Sequence, residues 1–159
     1  MQYDWIELNR LAAGSTPIDN NDILDLHRHG IRAILTLTEQ PLTIHSTIPA
    51  SLFMQLGITY CHEPIPDMNP PDDATAIAAL NFLEQMIAHS IPVFFHCFAG
   101  MGRTGTILHL FYLNRGLPLP EVQTRIAATR PQCTLISASQ RQYVEQYAEQ
   151  LALQDRTIV

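Results

Sequence analysis

Apolar positions along the chain follow two alternating periods. Runs of apolar and β-branched residues at 5–8, 11–13, 33–38, 58–62 and 91–95 read as short buried strands. Between them, apolar residues recur at helical spacing. A helix over 20–29 is capped by Asp19 or Asn20 and stopped by Gly30, and a shorter one over 49–56 ends at Gly57. The clearest amphipathic helix follows the proline-rich stretch 63–73 and carries Ile77, Leu80, Phe82, Leu83, Met86 and Ile87. Further helices are predicted over 106–114, 119–129 and 137–153, with the tail from Asp155 expected to fray. There is no internal repeat, low-complexity tract or linker, so residues 1–159 read as a single domain. Strands alternating with helices predict an α/β fold with a central, mostly parallel sheet covered by helices on both faces. Ligands of such sheets bind beyond the carboxyl ends of the strands. The loop that leaves the run 91–95 is therefore the first place to look for chemistry.

That loop reads His96-Cys97-Phe98-Ala99-Gly100-Met101-Gly102-Arg103-Thr104-Gly105. A strand, a glycine-punctuated loop and a helix start make a cradle for an anion, because loop N–H groups and the positive end of the helix dipole converge on its centre. A cysteine at its first position sits where the thiolate, its nucleophilic form, is favoured. Arg103 offers a planar fork that matches two oxygens of a phosphate. Phe98, Ala99, Gly100, Met101, Gly102 and Arg103 are thus the predicted phosphate-binding positions. Gly100 and Gly102 allow a backbone approach that a Cβ would obstruct. A structural cysteine before an ordinary turn is the bland alternative, and it leaves the arginine, threonine and glycines unexplained.

Asp67 lies thirty residues before Cys97 in a loop stiffened by prolines. A carboxyl there can supply the proton that a departing phosphoester oxygen needs. Aspartate is also a common turn residue. Asp72 and Asp73 are its rivals, but they immediately precede a helix and read better as caps. His96 is read as an orienting residue for the loop. The other histidines show no metal-ligand spacing, so neither a metal nor a cofactor is expected.

Composition narrows the function further. A chain of 159 residues with 47% hydrophobic content is long enough to bury one core. No apolar run approaches the ~20 residues that span a bilayer, and the N-terminus lacks a basic region before an apolar stretch. A cytoplasmic, monomeric protein with no membrane partner is the expectation. All nine basic residues are arginine, and the formal net charge is −6. That balance opposes nucleic-acid binding, and the absence of lysine excludes Schiff-base chemistry. Cys61, Cys97 and Cys133 form neither a disulfide framework nor a zinc knuckle.

The Cys97 loop resembles the phosphate-binding loop of cysteine-dependent protein phosphatases, the Cys-x5-Arg-(Ser/Thr) group. The wider chain, from about Trp5 to about Tyr147, is similar to small atypical dual-specificity phosphatases of the VHZ-like type and to compact archaeal protein tyrosine phosphatases. The anchors are Leu35-Thr36-Leu37-Thr38-Glu39, Ile65-Pro66-Asp67, the Cys97 loop, Arg130-Pro131 and Gln140. The resemblance implies a protein tyrosine phosphatase-like fold and a metal-independent reaction through a cysteinyl-phosphate. It makes Cys97 the nucleophile, Asp67 the general acid, and Thr104 the hydroxyl that hydrogen-bonds the sulfur as it departs. It gives Arg130 the job of holding the loop. Gln140 either positions the hydrolytic water or sits on a solvated helix face, and Glu39 matches a family position without an assigned role.

The implied substrate is a phosphorylated protein or peptide, with phosphotyrosine first and phosphoserine or phosphothreonine also open. The alternatives are a small-molecule or RNA 5′-phosphatase on the same fold, or a non-catalytic phosphoprotein-binding module. Intact Cys97 and Arg103 speak against the last. The missing lysine speaks against the loop typical of phosphoinositide phosphatases.

Overall fold

The computed structural model describes residues 1–134 and 136–157 of the chain. Within them β1 (Tyr3–Glu7), β2 (Leu11–Gly14), β3 (Ala33–Thr36), β4 (Thr59–His62) and β5 (Val93–His96) form one sheet in the order β1-β2-β5-β3-β4. β1 runs antiparallel to β2, and the other pairs are parallel. β5 is central. Its His96 is in register with Gly14 on one side and Thr36 on the other, so the strand leading to Cys97 is fixed along both edges.

Side chains of β5 alternate between two cores, as the pleat requires. Phe94 packs with Ile23, Leu26, Ile34 and Phe53 under α1 (Asn20–Arg28) and α3 (Ala50–Gln55). Phe95 faces the larger cluster beneath α4 (Asp73–Ala88), α5 (Gly102–Asn114), α6 (Leu119–Thr129) and α7 (Ala138–Thr157). Asp19 caps α1, accepting from the N–H groups of Asn21 and Asp22. Gly30 takes φ +92 just beyond the C-cap, a conformation that favours glycine. No helix among the described residues is long and apolar enough to cross a membrane.

Several expectations are corrected. A short α2 (Leu42–His45) follows a proline and was hidden by its length. α5 starts at Gly102 rather than Thr106, which puts Arg103 and Thr104 in its first turn instead of the loop. It is buried on every side from Arg103 to Leu113, so it shows no amphipathic stripe to mark its start. On α4 the core face is set by Ala76, Ala79, Leu80, Leu83 and Ile87, while Ile77 is 58% exposed. The backbone of α7 continues past the expected fraying point at Asp155 to Thr157; Ile158 and Val159 lie outside the described residues.

Gly105 shows how closely α5 is seated. A Cβ there would lie 2.2 Å from the carbonyl oxygen of Cys133, in the short 3-10 helix Pro131–Thr134. Backbone on both sides leaves nothing flexible to move. Gly105→Ala is expected to lower stability by about 1–3 kcal/mol, read as an earlier midpoint in urea unfolding.

Candidate active site

The chain leaves β5 at His96 and turns through 97–101 into α5. Gly100 makes the turn with φ +68, and a Cβ on it would lie 2.3 Å from the Gly14 carbonyl oxygen. Only glycine fits. The loop is braced from behind. Arg130 Nε donates to the Gly100 carbonyl at 3.2 Å, and its guanidinium also pairs with Asp4. The Thr16 N–H donates to the Phe98 carbonyl at 3.0 Å, and its hydroxyl donates to the Cys97 carbonyl at 2.8 Å. With the loop carbonyls thus occupied, the amide N–H groups of Phe98, Ala99, Gly100 and Met101 find no backbone acceptor among the described residues. Such a set of free N–H groups beside a helix N-terminus is a receptor for an anion.

His96 is fully buried under this loop. Its Nδ1 is 3.2 Å from the Cys97 carbonyl and its Nε2 is 2.9 Å from the Thr36 hydroxyl. A carbonyl only accepts, so Nδ1 carries the hydrogen and the Thr36 hydroxyl donates to Nε2. Burial pushes the imidazole down to about 3, so the ring is neutral and orients the loop. Its protonation couples to stability. Between the ordinary value of 6.5 and about 3 the unfolded chain binds a proton at His96 that the folded chain does not. The contribution is therefore complete above 6.5 and is lost progressively as pH falls toward 3. His109, buried and lowered for the same reason, adds in the same direction. The expected result is a melting temperature that declines across this window while the His96 ring resonance keeps its neutral position.

Arg103 is 3% exposed and already aimed. Its Nη1 donates to Glu39 Oε2 at 2.7 Å and to the Ile65 carbonyl at 3.0 Å, and its Nη2 lies 3.1 Å from Asp67 Oδ1. Glu39 also accepts from the Asp67 N–H through Oε1 at 2.9 Å. One carboxylate thus ties the guanidinium to the loop that carries the candidate acid. Hydrogen bonding by its own backbone, then by Arg103 and the Asp67 amide, outweighs partial desolvation and holds the Glu39 carboxyl below its ordinary range. Glu39 is the residue that sequence reasoning left without a role. The available signal was positional: it follows β3, the strand beside β5, at the same end of the sheet.

A cavity of about 230 Å³ brings together Asp67, Cys97, Phe98, Ala99, Met101, Gly102, Arg103 and Gln140. A larger depression of about 410 Å³ lies across Phe98, lined by Ser15, Thr16, Ile18, His45 and Ser46, and holds neither thiol nor guanidinium. Phe98 is 63% exposed between the two, edge-on to His45 at 5.9 Å between ring centres.

Two expectations change. The Thr104 hydroxyl is buried without a hydrogen-bond partner among the described residues, and the bond expected to the Cys97 sulfur is not made. Gln140 is 1% exposed, so the solvated-face reading falls. The rivals of Asp67 are engaged elsewhere: Asp72 caps α4 by accepting from the Thr75 N–H at 2.7 Å, and Asp73 accepts from the Tyr143 hydroxyl at 3.0 Å. Cys133 is pushed up to about 12 and Cys61 to about 11, chiefly by burial, which makes both poor sources of thiolate. No cluster of three or more His, Cys, Asp or Glu that could hold a metal occurs among the described residues.

Comparison with known proteins meets this geometry. A family model described as "Polymorphic toxin system, DSP-PTPase phosphatase" matches residues 10–117. The phosphatidylglycerophosphate phosphatase PTPMT2 of Arabidopsis thaliana is 24% identical over 98% of this chain and 68% of its own length. The cyclin-dependent kinase inhibitor 3 of Sus scrofa is 26% identical over 64% of this chain, an alignment that spans about half (49%) of that relative. Among solved structures, Tk-PTP in its active form superposes with a TM-score of 0.78 at 23% identity, covering 92% of this chain and 96% of that one.

Proposed function

The chain belongs to the DSP-PTPase phosphatase family of polymorphic toxin systems, and on that footing we propose that it hydrolyses phosphotyrosine in proteins through a phosphorylated Cys97. Membership makes it a cysteine-based phosphatase of the dual-specificity and tyrosine phosphatase group. The assignment of residues rests on one observation: a single cavity gathers Cys97, Arg103 and Asp67 beside loop amides that have no backbone partner among the described residues.

A phosphoryl group docks on the loop amides and on Arg103, whose Nη1 stays with Glu39 while Nη2 exchanges Asp67 for a phosphoryl oxygen. These donors stabilise the charge spread over the equatorial oxygens in the transition state. The Cys97 thiolate attacks phosphorus in line, the P–S bond forming as the P–O bond to the leaving group breaks. Asp67, released from Arg103, delivers its proton to that oxygen. In the second step Asp67 takes a proton from water as the water oxygen attacks phosphorus, and the sulfur leaves as thiolate. The buried Thr104 hydroxyl, with no other partner among the described residues, is available to stabilise that sulfur.

Phosphotyrosine is favoured because the exposed Phe98 gives the mouth of the cavity an apolar, aromatic face. A chain of net charge −6 without lysine is poorly matched to an anionic membrane surface. The test compares a phosphotyrosine peptide, phosphoserine and phosphothreonine peptides, an anionic lipid phosphate in mixed micelles and a generic aryl phosphate, each with and without chelator. The expected ranking puts the phosphotyrosine peptide first and leaves every rate unchanged by chelator. A preference for the lipid phosphate overturns the substrate reading and leaves the phosphatase intact; dependence on a divalent metal overturns the mechanism.

A further inference from the structure

Three side chains at the start of α7 reach across to the backbone of the loop that carries Asp67. Ser137 Oγ donates to the Met68 carbonyl at 2.7 Å, and Ser139 Oγ donates to the same oxygen at 3.1 Å. Gln140 Nε2 donates to the Asn69 carbonyl at 3.1 Å. Glu39 grips the loop from the opposite side through the Asp67 N–H. Between these holds Met68 sits at φ 61, a left-handed conformation that a side chain with a Cβ adopts only where its surroundings over-determine it. The loop is held from both sides by the chain's own side chains.

The Gln140 amide is committed at both ends. Its Oε1 accepts from the Ser137 N–H at 2.8 Å while Nε2 holds Asn69. Gly102 makes room for it, since a Cβ there would lie 2.9 Å from Oε1. Oε1 and Nε2 thus each make one hydrogen bond to the backbone on either side of the cavity.

We propose that Ser137, Ser139 and Gln140 are a latch that holds the acid loop over Cys97. Gln140 then acts through Asp67, on the proton given to the leaving group in the first step and on the proton taken from water in the second. All three are positioning residues, because they act through Met68 and Asn69 and not on the reacting atoms. The inference rests on Asp67 being the acid. A displacement of about 1 Å at such a group is enough to lose much of its contribution.

The test uses the full chain as the variants S137A/S139A and Gln140→Met, with Asp67→Asn run beside them. Steady-state kcat/KM is measured on phenyl phosphate, whose leaving group needs a proton, and on nitrophenyl phosphate, whose leaving group hardly does. Both latch variants are expected to lose about 10-fold on phenyl phosphate and distinctly less on the nitrophenyl ester. Losses equal on the two esters, or none on either, overturn the latch. So does a burst with slow turnover in Gln140→Met beside an unaffected S137A/S139A, which returns Gln140 to the water step. If Asp67→Asn itself shows no leaving-group dependence, the acid assignment falls and the latch with it. If only Asp67→Asn shows it, the latch alone falls. Thermal melting of each variant confirms that folded protein is compared.

Discussion

Replacing Cys97 by serine abolishes turnover, by about 10⁴-fold or more, while phosphate binding survives. The two outcomes separate because they draw on different parts of the site. Binding comes from the loop amides and from Arg103, and those are placed by backbone braces that the substitution leaves alone. Arg130 still holds the Gly100 carbonyl, and Thr16 still holds the carbonyls of position 97 and Phe98. Chemistry comes from a thiolate, and a hydroxyl near neutral pH is a poor nucleophile in a cradle built to favour an anion. No neighbour rescues it: His96, which lies next in sequence, is neutral and has both ring nitrogens engaged. Phosphate titration followed by calorimetry, alongside an aryl-phosphate assay, measures both halves. Appreciable activity in clean Cys97→Ser protein removes Cys97 from its role.

Asp67→Asn slows phosphotyrosine hydrolysis by about 10²–10⁴-fold, the range that acid catalysis contributes. The loss shrinks on an activated nitrophenyl ester, because that oxygen departs almost unaided. The variant keeps the carboxamide oxygen, and with it a contact for Arg103 Nη2 and for the Met68 N–H, so the loop retains its shape. What disappears is the exchangeable proton. Asp72→Asn and Asp73→Asn show no such leaving-group dependence, since one caps α4 and the other accepts from Tyr143. Their effects fall on stability, about 1 kcal/mol for the cap. Leaving-group dependence in either of them, and not in Asp67→Asn, moves the acid within this loop.

How much of this was legible in the sequence follows from the distance over which each signal acts. The Cys97 loop is contiguous, so strand, glycine turn and arginine are read together, and the parallel sheet follows from alternating periods. Helix α6 and the cap of α1 were legible for the same local reason. The start of α5 was not, because a helix buried all round carries no stripe and the glycine at 102 reads as loop. Its glycines answer to partners far along the chain, Gln140 for Gly102 and the Cys133 carbonyl for Gly105. Glu39 and the serines at 137 and 139 gain meaning only when the sheet order sets β3 beside β5 and α7 reaches the acid loop. Residues 39, 67, 103 and 140 meet in one cluster with no spacing to announce it. Thr104 shows the opposite limit: the motif names the residue, and its buried hydroxyl has no hydrogen-bond partner among the described residues.

The central claim is that phosphate passes through the sulfur of Cys97. Rapid mixing with an aryl phosphate, acid quench within the first turnovers and mass mapping of the peptide that carries Cys97 test it directly. The account predicts a phosphoryl group on Cys97 that forms before inorganic phosphate appears and decays as phosphate accumulates, at a rate matching turnover. Phosphate released at full rate with Cys97 never labelled, or a label on any other residue, contradicts it.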